Sequence, residues 1–270
     1  MADMSPRAVD VLKHVDKIFA EDTRHSGPLL KYFNIQTQCH ALHEHNERQI
    51  SDKICADVLA GQSIALISDA GVPLISDPGF LLIKKAHESS LTIVPIPGPC
   101  AAITALSVSG LPSDQFYFVG FLPSKSSARI KTLTKLKSIH ATFIFYESPH
   151  RILESLHDMG DVYGLDCTVV LARELTKMFE TVKKTSLQDL LAFVSNDANQ
   201  RKGEMVVLLD NTNVDAADAE QENLELERTL QILLDTLSLK QAVSLAVKLT
   251  GQKRNQVYPM ALAISQNQEK

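Results

Sequence analysis

Runs of apolar residues broken by compact polar loops set the plan of this chain. Ile64, Ala65, Leu66 and Ile67 show no polar alternation, which predicts a strand covered on both faces, as in a parallel sheet packed by helices. The chain then turns abruptly to Ser68-Asp69-Ala70-Gly71-Val72-Pro73-Leu74-Ile75-Ser76-Asp77-Pro78-Gly79. Ordinary strand-to-helix connections run about 2–6 residues, so a longer loop with a repeated Ser-Asp and two prolines reads as a binding loop. A second apolar run, Ile93-Val94-Pro95-Ile96, predicts another strand; it ends in Pro97-Gly98-Pro99 and runs into a small-residue helix from Ala101 to Val108. Ligands of open α/β sheets lie at the carboxyl ends of strands, where glycine lets the backbone approach closely. Two such loops at neighbouring strand ends make one crevice.

The remaining pattern supplies the surrounding elements. Ser5-Pro6 is an N-cap followed by proline at the first helical position, and Ala8, Val9, Leu12 and Val15 form the stripe of the helix it opens. A strand over Lys17 to Ala20 ends in Glu21-Asp22-Thr23-Arg24-His25. The plainer alternative is that Asp22 or Thr23 merely caps the next helix, but a cap does not require Glu, Arg and His as well. His43 and His45 fall on one face by alternation, and Ile50, Ile54 and Val58 mark the helix after Asn46. Cys39, His40, His43, Glu44 and His45 lack a second clean ligand pair at zinc spacing, so no metal is expected.

Gly110 to Asp114 breaks the pattern and bounds a first domain at 1–111. A second, 112–210, is predicted with strands at Phe116 to Phe121, Ala141 to Tyr146, Cys167 to Leu171 and Glu204 to Leu209, and helices at Pro149 to Met159 and Ser186 to Val194. Lys125 and Arg129 read as loop cations, with Lys131, Lys135 and Lys137 on the helix that follows. Asp210 to Glu227 is acidic and reads as a linker (211–226 in domain terms), and 227–270 as a small module of three helices with Lys253, Arg254 and Asn255 opening the last.

Composition narrows the partners. The 270 residues carry a net charge of −5, so contact with nucleic acid must come from a local patch rather than a basic coat. Cys39, Cys55, Cys100 and Cys167 lie far apart, fitting reduced thiols used for packing. With no long apolar run and no signal-type amino terminus, the expectation is a cytoplasmic chain with no membrane partner.

The two loops, with Glu21-Asp22-Thr23-Arg24-His25, His43-Glu44-His45-Asn46-Glu47, Phe145-Tyr146-Glu147-Ser148-Pro149-His150-Arg151, Ala172-Arg173-Glu174-Leu175-Thr176-Lys177 and Lys202-Gly203-Glu204, resemble the ribosomal RNA small subunit methyltransferase I family. That family is a branch of the tetrapyrrole-methylase-like S-adenosylmethionine enzymes. The resemblance spans nearly the whole chain. It implies an α/β, two-domain tetrapyrrole-methylase-like fold, with a parallel sheet in the first domain, a mixed sheet in the second and a small helical C-terminal module. It further implies 2′-O-methylation of a cytidine ribose in 16S ribosomal RNA of the small subunit, S-adenosylmethionine as donor, a homodimer, and no DNA partner. On the resemblance, Ser68, Asp69, Ala70, Pro73, Cys100, Ala101, Tyr146, Ala172 and Gly203 surround the donor. Glu21, Asp22, His25 and His43 are candidates for the base that takes the ribose proton, with no spacing that selects among them. Arg24, His45, Arg151, Arg173 and Lys177 are assigned to the RNA.

Two other readings stand beside it: a tetrapyrrole-type small-molecule methylase, and an RNA-binding protein inactive through loss of its first strand. Members of the resembled family begin with a short apolar strand and a Gly-Asn-Leu type turn, and Met1 falls at that turn's leucine. The expectation is therefore a translation start upstream of Met1 and, for the chain as it begins here, a first sheet with unpaired edges.

Overall fold

The computed structural model of the chain describes residues 1–212, 216–252 and 254–268. Its first part is α1 (Pro6–His14), β1 (Lys17–Ala20), α2 (Thr23–Tyr32), β2 (Cys39–Ala41), α3 (Glu47–Leu59), β3 (Ile64–Ile67), α4 (Phe80–Glu88) and α5 (Ala101–Ser109). The predicted cap is present: Ser5 Oγ accepts from Ala8 N at 3.2 Å. The three strands form a parallel sheet in the order β2-β1-β3, with Ala20 level with both Ala41 and Ile67. Alternate residues face opposite layers. Phe19, Ile64 and Leu66 pack with Leu42, Ile54 and Leu82, while Ile18, Ala65 and Ile67 pack with Leu12, Leu30 and Ile35. β3 is nonetheless half-buried along its whole length, being one of the two outer strands of the sheet.

Ile93 to Ile96, predicted as a strand, take no strand conformation, and Val94 is 59% exposed. Pro95, Pro97 and Pro99 remove every second backbone donor, and a strand needs a ladder partner as well as an apolar run.

The second part holds β4 (Phe116–Phe121), α6 (Ser126–Leu136), β5 (Thr142–Glu147), α7 (Ile152–Tyr163), β6 (Thr168–Arg173), β7 (Thr181–Ser186), α8 (Leu187–Asn196) and β8 (Met205–Asp210). These strands form a mixed sheet ordered β4-β5-β8-β6-β7, parallel only between β4 and β5. One face, through Phe143, Phe145, Leu171, Val207 and Leu209, packs on helices α6 to α8. The other, through Ile144, Val170, Val206 and Leu208, packs on Ala102, Ala105 and Leu106 of α5. Helix α5 therefore ties the second loop of the first sheet to the back of the second sheet. Helix α4 and strand β7 went unpredicted. Arg129, expected in a loop, lies in α6 with no exposure, its Nε donating to Asp158 Oδ2 at 2.5 Å, because the helix starts at Ser126 and turns that position inward.

Contacts divide the chain into Met1–Asn211 and Thr212–Lys270. The second unit is α9 (Ala216–Leu234), α10 (Leu239–Thr250) and α11 (Arg254–Gln268), closed around Leu226, Leu230, Val243, Ala246, Val257 and Ala261. The acidic stretch predicted as a linker is thus helical from Ala216, since Ala, Glu and Leu favour helix and Leu226 and Leu230 give it an apolar stripe to bury. Residues 213–215 of that stretch, and Lys253, lie outside the described residues.

Candidate functional site

Because β1, β2 and β3 run parallel and in step, their carboxyl ends present Glu21 and Asp22, His43, and Ser68 and Asp69 along one edge. Asp22 N donates to Asp69 Oδ1 at 3.2 Å, joining two of those ends directly. Asp22 also caps α2, accepting from Arg24 N at 2.8 Å, and the Arg24 Nη2 returns to its Oδ2 at 2.7 Å. Those bonds from Arg24 hold the Asp22 carboxyl far below the usual range. Arg24 and His25 are otherwise exposed. His43 stands beside His45, ring centroids 6.0 Å apart, and its buried Nδ1 has no protein partner.

Glu21 and Asp77 are both raised above their ordinary values. Burial is the main cause for each; Asp77, Asp69 and Asp22 add repulsion at Glu21, and Asp69 adds it at Asp77, where a Ser68 hydrogen bond opposes it. Sequence reasoning assigned Asp69 and passed over Asp77. The signal available was the second copy of Ser-Asp in the same loop.

That loop is held in an unusual path. Leu74 and Ser76 have φ of 73° and 70°, a region that residues with side chains seldom enter. Val72 N donates to Pro99 O at 3.0 Å, joining the first loop to the second, and a Cβ on Gly71 would stand 2.8 Å from that same oxygen. Glycine is required there by close approach as well as by its φ of 76°.

The second loop ends at Cys100, the N-cap of α5, which makes no side-chain cap bond. Ala102 N donates to Tyr146 Oη at 3.3 Å, so the end of β5 is fixed against the start of α5. Burial, then the neighbouring Cys100, pushes the Tyr146 hydroxyl up to about 12. A Cβ on Gly120 would stand 3.2 Å from Ser76 Oγ, so the first loop lies against β4, the strand paired with that of Tyr146. Phe118 and Phe121 meet the Tyr146 ring edge-on, and Leu175 packs on the same cluster.

Ala172 is buried in β6. Gly203, at φ 83°, leaves room for the Glu174 carboxylate, which a Cβ would strike; that carboxylate accepts from Glu204 N at 2.8 Å and from Lys177 Nζ at 3.0 Å. Three cations assigned to RNA turn to the protein. Arg151 pairs with buried Glu147 at 3.2 Å and donates to Leu122 O, Arg173 donates to the carbonyls of Lys202 and Phe179, and Lys177 bridges Glu174 and Glu204. Among the described residues, no group of three His, Cys, Asp or Glu side chains is placed to hold a metal ion, and no helix is long and apolar enough to cross a membrane.

The residues present suit S-adenosylmethionine. Small side chains at exposed Ala70 and Ala101 leave backbone groups open to a flat base or a carboxylate, the first turn of α5, which Cys100 does not cap, favours an anion, and Asp69 and Asp77 can accept from an ammonium or ribose hydroxyls.

This fold and cleft define a class. The family described as Tetrapyrrole (Corrin/Porphyrin) Methylases matches residues 1–191, and the one described as RsmI C-terminal HTH domain matches 220–265. The structure titled diphthine synthase shares the fold, covering 77% of this chain and 85% of its own with TM-score 0.61 at 15% identity. Within that class the chain belongs to the ribosomal RNA small subunit methyltransferase I family. It is 50% identical over 264 residues to the Vibrio cholerae protein of that name, covering 97% of this chain and 90% of the relative. To the Escherichia coli O157:H7 protein it is 49% identical, covering 97% and 91%.

Proposed function

We propose that this chain transfers a methyl group from S-adenosylmethionine to the 2′-hydroxyl of a cytidine in 16S ribosomal RNA. The observation that carries the reading is the join of two loops, Val72 to Pro99 and Ala102 to Tyr146, beside a strand-end edge rich in carboxylates. Its RNA target comes from the names of relatives about half identical over nearly the whole chain.

S-adenosylmethionine, when bound, supplies an electrophilic methyl group on a sulfonium. The chain's own task is to orient and desolvate, and orientation alone can lower a barrier by about 7–11 kcal/mol. Asp69 and the open backbone at Ala101 hold the donor. Glu21, raised by burial and by neighbouring carboxylates, is matched to accept the ribose proton nearer neutral pH than an ordinary carboxylate. Exposed Arg24 and His25 face the RNA from the same strand end.

The test is transfer of labelled methyl to small ribosomal subunits, followed by alkaline hydrolysis. A 2′-O-methyl group blocks attack on the next phosphodiester, so the label should sit in an alkali-resistant dinucleotide beginning with cytidine. Label in a base, or in alkali-labile nucleotides, sinks the ribose assignment.

A further inference from the structure

The hairpin that joins β6 to β7 is built around a buried arginine. Arg173, 6% exposed, donates through Nη1 to Lys202 O at 3.1 Å and through Nη2 to Phe179 O at 2.9 Å and Thr181 Oγ1 at 3.3 Å. Around it Lys177 N donates to Glu174 O, Glu180 N to Lys177 O, and Thr176 N to Glu180 Oε2 at 2.6 Å. Glu174 and Thr176 adopt φ of 50° and 62°, which only such a net of bonds maintains in residues with side chains. The tip is therefore held in one shape. What it holds into solvent is Met178, 90% exposed, and next to it Phe179, 67% exposed.

Large apolar side chains on a fixed support mark a contact surface. Two features say for what. Leu175, three residues before the tip, packs on the same buried cluster of α5, Ile144, Val170 and Ala172 that Cys100 and Tyr146 pack on, so the tip starts from the wall that carries the candidate cleft. Lys202, brought beside the tip by the shared Arg173, is exposed and rests its Nζ on the neutral amide oxygen of Asn199 at 3.1 Å, leaving its charge toward solvent. A patch of two side chains is far smaller than the roughly 800 Å² that each partner contributes to a standard protein interface. It matches one base, and the nearby cation matches a phosphate.

Resting on the RNA reading above, we propose that Met178 and Phe179 form a stacking platform for an unpaired nucleotide beside the one methylated, with Lys202 on the flanking phosphate. Every base offers a π-face, so a platform of this kind holds the strand without reading its sequence. Proteins that recognise RNA commonly take hold of unstacked bases in this way. Methionine adds a polarizable, adaptable surface against a flat ring.

The experiment measures binding and methylation of small-subunit ribosomal RNA by the full chain, with a single-stranded oligoribonucleotide bearing a fluorescent base analogue as stacking probe. Phe179→Ala is expected to weaken RNA binding about five- to a hundredfold, raise KM for RNA more than it lowers kcat, and abolish quenching of the analogue. S-adenosylmethionine affinity and melting temperature stay unchanged. Phe179→Trp restores binding and quenching, which a merely structural role would not predict. Unchanged RNA affinity in folded Phe179→Ala overturns the platform, and so does a shift in sedimentation to a smaller assembly with RNA affinity kept, which would make the tip a contact between copies. A wild-type chain that takes up no RNA sinks the RNA reading and the platform together; wild type and Phe179→Ala methylating RNA equally sinks the platform alone.

Discussion

The two sheets of the larger unit have opposite characters. In the mixed sheet, β5, β6 and β8 are buried along nearly their whole length between two helical layers. In the parallel sheet, β3 is only half-buried throughout, β2 is a short strand with no buried residue, and the polar residues crowd the carboxyl ends. The first arrangement is a closed core, one face of it completed by α5. The second gives up burial to bring Glu21, His43, Asp69 and Asp77 onto one edge. The better-buried core and the candidate site thus fall in different halves of one unit, bridged by α5.

The largest effect should separate the halves directly. Phe145→Ala removes a side chain with no exposure and should cost about 3–5 kcal/mol, enough to threaten folding. Leu66→Ala, from half-buried β3, should fall below the range of about 2–5 kcal/mol seen for buried leucines. Denaturant midpoints of both variants check this. Equal losses would show that the parallel sheet is as much a core as the mixed one.

What could be read ahead of the structure follows the same division. Lys17–Ala20 and Ile64–Ile67 were predicted with the bounds they have, and so was the Ser5 cap, because apolar runs and caps are local signals. Ile93 to Ile96 carried the same signal without a strand, since pairing depends on a partner elsewhere. Strand β7 hid behind its lysines: Thr181 to Ser186 alternates, but its exposed positions include Lys184, as befits a sheet edge. At the site, motif positions placed the strand ends, while Arg151 and Arg173, assigned to RNA on the resemblance, turn to protein partners. Whether an arginine meets solvent or a buried Glu147 is decided by tertiary packing, which no local pattern records.

A middling effect tests the edge as a binding surface. Asp69→Ala should weaken S-adenosylmethionine binding by about 1–3 kcal/mol, the scale of a lost hydrogen bond to a charged group, while melting changes little. Calorimetric titration measures it, and unchanged affinity in a folded variant removes Asp69 from the donor. Arg24→Ala and His25→Ala should instead keep donor affinity and lose methylation of small-subunit RNA. Equal loss of both activities would place these residues under the donor pocket.

The smallest effect is the most diagnostic, because its sign differs between the halves. Glu174 in the second half is lowered by the Glu204 N–H and then Lys177, so its contribution is lost as pH falls. Asp77 is raised, by burial and then Asp69, so the folded chain holds its proton more firmly than the unfolded chain. By linkage, stability then declines as pH rises from the ordinary carboxylate range through the raised value, and the full penalty stands above it. Asp77→Asn keeps the side chain's size and removes the charge. It should be more stable than wild type at neutral pH, by on the order of 0.5 kcal/mol, with the advantage shrinking as acid protonates the wild-type carboxyl. Methyl transfer should drop in the same variant, since groups kept at the expense of stability are those an active edge requires. Melts across pH, paired with methyl-transfer rates, decide it: a variant less stable at neutral pH would make Asp77 a structural loop residue and leave the acidic edge without its functional reading.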